Sequence, residues 1–165
     1  MGDGMGYYGL YESAIGWIEI QGSEGQILSL KFVDQPTIGF GTCAVLEMAM
    51  QQISEYFMGT RRAFDLPLVM RGTAFQRQVW GELMTIPYGR VTTYQEIAQA
   101  IGRPKAVRAV GAANARNPIP IVVPCHRVLG ENGNLGGFGG GLEMKERLLQ
   151  LEASGRVNVS RCRNP

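Results

Sequence analysis

The chain has one histidine, His126, and three cysteines, Cys43, Cys125 and Cys162. No Cys-x-x-Cys pair occurs among them. So thin a supply argues against a Cys/His zinc site, and three cysteines at these spacings match no disulfide framework. The expectation is no metal, no cofactor and a reducing, cytoplasmic home. No apolar run is long enough to span a bilayer. The N-terminus lacks the basic flank and apolar stretch of a signal peptide. Gly6 stands where a myristoylation signal wants Ser or Thr, and Arg163-Asn164-Pro165 is no prenylation tail. The glycine-rich run from Leu135 to Leu142 has neither the lysine nor the spacing of a phosphate-binding loop. Charged residues are only 18% against 45% hydrophobic, a globular rather than a disordered balance.

The net charge of +2 conceals an asymmetry. Residues 1–70 hold 3 basic and 8 acidic side chains, whereas residues 71–165 hold 13 basic and 6 acidic. A basic half joined to an acidic one suggests that the basic half meets a polyanion.

Hydrophobic patterning divides the chain the same way. Tyr7–Glu12, Ala14–Ile20 and Gln26–Val33 read as short strands of a meander. A helix starting near Thr42 would place Leu46, Ala49, Met50, Ile53 and Phe57 on one face. The fold class is therefore α+β: a strand-rich N-terminal lobe with a helix over residues 1–62, joined to a mostly helical C-terminal lobe. Residues 63–72, which include Pro67, read as an extended linker, residues 73–153 as the C-terminal domain and 154–165 as a disordered tail. Thr73 and Gln76 have capping-box spacing ahead of the stripe Phe75, Val79 and Leu83. Thr92 and Gln95 repeat that spacing ahead of Tyr94, Ile97, Ala98 and Ile101. Gly102 stops this helix, and Pro104 suits the first position of another that runs to about Ala115. Two short helices around a glycine turn make a helix-turn-helix. Six basic residues (Arg90, Arg103, Lys105, Arg108, Arg116 and Arg127) against Glu96 alone give it the charge of a DNA-binding one. Met144, Leu148 and Leu151 mark a last helix, with Lys145, Leu149 and Glu152 on a neighbouring face.

The chemistry concentrates in Pro124-Cys125-His126-Arg127-Val128, behind the apolar run Ile121-Val122-Val123. A cysteine buried in apolar surroundings is ordinarily inert, because its thiol pKa rises. An adjacent imidazole changes this by offering a base, and thiolate is the strongest nucleophile a side chain can supply.

These segments together resemble the O6-alkylguanine-DNA alkyltransferases, also called methylated-DNA–protein-cysteine methyltransferases. The resemblance is carried by Gly72-Thr73-Ala74-Phe75-Gln76, Val79-Trp80, Ile86-Pro87-Tyr88-Gly89 and Tyr94. It continues through Arg108-Ala109-Val110-Gly111, Asn117-Pro118, Pro124-Cys125-His126-Arg127-Val128, Lys145, Leu148-Leu149 and Glu152. It implies single-turnover repair of double-stranded DNA containing O6-alkylguanine, by a monomer with no membrane partner. The helix-turn-helix would enter the minor groove, and the alkylated base would be flipped into a pocket. Cys125 would accept the alkyl group, with His126 as base through a water, Glu152 holding the histidine, and Asn117 tying the recognition helix to the active-site segment. Tyr94, Arg108, Ala109 and Gly111 would contact DNA, Tyr94 rotating the nucleotide and Arg108 filling the vacated stack. Tyr94, Val128, Phe138, Gly139 and Lys145 would line the base, and the carbonyls of Cys125 and Val128 would read its edge.

Two positions depart from the family pattern. Phe138 stands where tyrosine is usual, so no hydroxyl is available there for guanine O6. Gly139 follows where a small hydroxyl or alanine is common. A lesion sensor that binds alkylated DNA and recruits other repair factors without transfer is the alternative that Phe138 favours, and Cys125, His126 and Glu152 argue against it. A plain helix-turn-helix regulator would leave the cysteine pentapeptide unexplained.

Overall fold

Strict alternation builds the first unit. In the computed structural model, which describes residues 6–36, 41–136 and 140–155, β1 (Tyr7–Ser13), β2 (Gly16–Ser23) and β3 (Gln26–Val33) form an antiparallel meander in the order β1-β2-β3. Along β2, Ile18, Ile20 and Gly22 point inward while Trp17, Glu19 and Gln21 remain partly exposed. That period of two is what a sheet covered on one face requires. The β1–β2 turn takes up Ala14 and Ile15, so β2 begins two residues later than the expected Ala14; Gly16, at φ 126°, supplies the backbone that reversal needs.

The inner face is covered by α1 (Ala44–Phe57), whose buried stripe includes Val45, Leu46, Ala49, Ile53, Tyr56 and Phe57. The extended segment after α1 is no free linker over its first part. Ile27 N donates to the Pro67 carbonyl at 2.8 Å and Val69 N to the Ile27 carbonyl at 2.9 Å, so residues around Leu68 lie parallel to β3. Gln52 fixes the same segment, its side chain bonding the Asp65 carbonyl at 3.0 Å and the Asp65 amide at 2.9 Å. The chain thus divides as residues 1–69 with 150–165, and residues 70–149. This differs from the expected boundaries, since the last turn of the final helix goes with the first unit. There Tyr56 donates to Glu152 at 2.7 Å in a buried bond.

The second unit is helical. α2 (Ala74–Leu83) opens with the Thr73–Gln76 capping box. A two-residue strand β4 (Thr92–Thr93) leads into α3 (Tyr94–Ala100), and α4 (Val107–Ala115) follows. The box at α3 is Thr93 with Glu96, one residue beyond the expected Thr92 and Gln95. Thr92 is held in β4, paired in parallel with Val128 of β5 (Val128–Leu129), so the helix cannot start earlier. Gly102, at φ 73°, ends the α3 turn as expected. Pro104 does not open α4; it sits in the intervening turn, where its carbonyl accepts from Gln95 at 3.2 Å, and α4 starts three residues later. Trp80 Nε1 reaches across the core to the Ala113 carbonyl at 2.8 Å, tying α2 to α4. α5 (Leu142–Ser154) closes the described chain, with Lys145, Leu148 and Leu151 buried. No helix among the described residues is long and apolar enough to cross a membrane.

Candidate active site

The segment that carries Cys125 is built as a sealed strap. Every residue from Ile121 to Val128 is buried. Ile121 has φ 74°, the left-handed region that a β-branched residue avoids, so this turn carries strain that the surrounding packing must hold. Val123 N bonds the Ile119 carbonyl at 2.9 Å, and Cys125–Arg127 then form one 3-10 turn. Arg127 is only 6% exposed and donates to the Ile86 carbonyl at 2.6 Å, with its guanidinium over the Tyr88 ring at 5.8 Å. It locks the Cys-His turn to the Ile86–Gly89 turn. One of the six basic residues counted toward DNA binding is therefore used internally.

Cys125 is 2% exposed. Burial pushes its thiol up to about 11, while the Asn117 amide, the Lys145 charge and the backbone N–H groups of Cys125 and His126 pull in the opposite direction. The resting group is therefore a thiol. Yet donors and a cation are arrayed to receive charge on sulfur once the proton leaves. His126 is fully buried beside it in the sequence.

The other expected residues fall into three groups. Asn117, just beyond the C-cap of α4, donates to the Val123 carbonyl at 2.7 Å and accepts from Ile119 N at 2.9 Å. Lys145 is fully buried, its ammonium bonded to the Val128 carbonyl at 2.6 Å, the Gly136 carbonyl at 3.3 Å and the Tyr94 hydroxyl at 3.5 Å. Burial lowers its pKa, opposed by the Cys125 charge. Burial raises that of Tyr94, with Cys125 adding to the rise. Tyr94, Cys125 and Lys145 thus share one electrostatic site. On the outer side, Arg108 and Ala109 are exposed on α4, and a side chain at Gly111 would meet nothing. Glu152 is 6% exposed and belongs to the other unit, where it accepts from Tyr56. Phe138 and Gly139 lie outside the described residues, as do Cys162 and residues 156–165 of the expected tail.

Asn114 escaped the sequence reading. It is 1% exposed and its Nδ2 donates to the Cys125 carbonyl at 3.3 Å. Nothing in the local sequence marks it, since it lies in the last turn of α4 and only its tertiary partner gives it a role. Among the described residues no group of three or more His, Cys, Asp or Glu could hold a metal ion.

Fold and site together define a class: a helix-turn-helix protein with a buried cysteine packed against its exposed helix. Comparison with known proteins gives the family. Residues 74–154 match the model of the 6-O-methylguanine DNA methyltransferase DNA binding domain, and residues 6–70 that of the 6-O-methylguanine DNA methyltransferase ribonuclease-like domain. The chain is 46% identical over 154 residues to the methylated-DNA–protein-cysteine methyltransferase of Methanosarcina acetivorans, covering 90% of this chain and 99% of that one. It is 43% identical over 158 residues to the constitutive methylated-DNA–protein-cysteine methyltransferase of Bacillus subtilis, covering 90% and 96%. The structure of Mycobacterium tuberculosis OGT in complex with DNA matches with a TM-score of 0.85 and 42% identity, over 93% of this chain and 96% of that one. The chain belongs to the methylated-DNA–protein-cysteine methyltransferase family, enzymes of DNA repair.

Proposed function

We propose that this protein repairs duplex DNA by moving an alkyl group from guanine O6 to Cys125, once and irreversibly. The observation that carries the proposal is the environment of the thiol: buried, protonated at rest, and ringed by Asn117, Lys145 and two backbone amides. At neutral pH a group near 11 is ionised to about one part in ten thousand, so the proton must leave as the sulfur attacks. His126 takes it, through a water. The sulfur then forms a bond to the alkyl carbon, the carbon–oxygen bond breaks, and its electron pair stays on guanine. Lys145 and the amides stabilise charge on sulfur before transfer, in a site where water does not screen them.

Tyr94 and the carbonyls of Cys125 and Val128 hold the flipped base. The carbonyls accept from its exocyclic amine, a donor that alkylation at O6 leaves intact. Exposed Arg108 enters the gap left in the stack, and the neighbouring Ala109 and Gly111 allow close approach of α4 to the minor groove. The protein acts as a monomer in a reducing cytoplasm, where Cys125 stays a thiol.

Intact mass spectrometry after incubation with a duplex containing O6-methylguanine tests this. One methyl group should be gained, mapped to Cys125, with no second turnover. Tight binding of the lesion without any mass change would instead make the protein a sensor.

A further inference from the structure

Asn114 sits on the last turn of α4, behind the face that carries Arg108. Its side chain is used unevenly. Nδ2 donates to the Cys125 carbonyl at 3.3 Å and the amide faces the Tyr94 hydroxyl, whereas Oδ1 is buried with no hydrogen-bond partner among the described residues. Turning the amide over would set Oδ1 against the Cys125 carbonyl oxygen, two acceptors face to face, so the orientation follows from the bond itself. A leucine has the same branched outline, though more bulk, and would leave no stranded acceptor. What asparagine adds is the donor. The Val128 carbonyl is held in the same manner by Lys145, at 2.6 Å. Both carbonyls assigned to the base edge are thus held by buried nitrogen donors, and that of Cys125 also accepts from the Val128 N–H, so an incoming amine must share it with these two donors.

We propose that Asn114 is a positioning residue that fixes the Cys125 carbonyl for the exocyclic amine of the flipped base, and so sets the preference for a 2-aminopurine lesion. The inference rests on the alkyl-transfer reading above. Because Asn114 acts chiefly through a carbonyl that only the amine engages, its loss should be felt most by substrates that carry the amine.

Single-turnover transfer from two duplexes decides it, one with O6-methylguanine and one with O6-methylhypoxanthine, which lacks the 2-amino group. The native protein should prefer O6-methylguanine. Asn114→Leu should slow transfer from O6-methylguanine by about tenfold, the worth of one neutral hydrogen bond, and leave O6-methylhypoxanthine within about twofold. Equal slowing on both lesions, no slowing on either, or equal native rates on the two would overturn the proposal. If Asn114→Leu does not fold, Asn114→Ala, which adds no bulk, carries the same comparison. Absence of transfer from either lesion by the native protein would sink the alkyl-transfer reading itself, and this inference with it.

Discussion

At the scale of single residues, the decisive quantity is the proton on Cys125. Burial holds it there to about pH 11, so the transfer rate should climb as pH rises from 6 toward 9. A flat single-turnover profile over that range would mean the thiolate already exists. The same shift bears on stability. A folded-state pKa raised from 9.0 to about 11 contributes stability that is complete below pH 9 and lost as pH rises through 11, about 2 to 3 kcal/mol in all. Lys145, with its lowered pKa, acts in the opposite sense nearby. Cys125→Ser should therefore lose less melting temperature than the native protein between pH 9 and 11, and should accept no alkyl group. Phe138 offers a test from chemistry alone. A hydroxyl donor to the developing oxyanion is worth about 3 kcal/mol in a transition state, and phenylalanine has none. Phe138→Tyr should raise the transfer rate without changing DNA affinity, since that charge exists only in the transition state. An unchanged rate would mean the donor is already supplied elsewhere.

Among the elements, the helix-turn-helix depends on its first cap. Thr93 Oγ1 accepts from Glu96 N at 3.1 Å, and Glu96 returns a carboxylate to Thr93 N at 2.8 Å and to the Thr92 hydroxyl at 2.7 Å. Thr93→Ala should cost about 1 kcal/mol, measurable as a lower denaturant midpoint at unchanged slope. The strands, the Thr73 box and the apolar helix faces were legible in the sequence because each is a local, periodic signal. The start of α3 was not. Thr92-Thr93-Tyr94-Gln95-Glu96 supports two caps in adjacent registers, and the choice is made by pairing with Val128, thirty-odd residues away. Pro104 was misplaced for a related reason: its fixed φ suits a helix start and a turn equally. In the site, Cys125 and Asn117 could be read from their motif. The role of Arg127 as an internal strut and the burial of Lys145 and Asn114 could not, because charge and polarity in a sequence suggest exposure and only tertiary partners reverse that.

For the whole molecule, charge separates with the fold. Residues 70–149 carry 10 basic and 5 acidic side chains, the remainder 6 and 9. Lys145 and Arg127 are buried, and Arg147 is paired with Glu143 at 2.6 Å. Arg90, Arg103, Lys105, Arg108 and Arg116 remain exposed around the helix-turn-helix. If these meet phosphates, the log–log slope of DNA affinity against salt should be about −4 to −5. A slope near −1 would place the DNA contact elsewhere. The burial of Cys125 has one further consequence. A thioether formed there is shut away from any thiol or water that could reverse it. If Cys125 is the alkyl acceptor proposed above, a cell using this protein keeps an inventory rather than a catalyst: each copy would be a fuse that burns once, protection would end when the copies ran out, and the spent fraction would record the dose received.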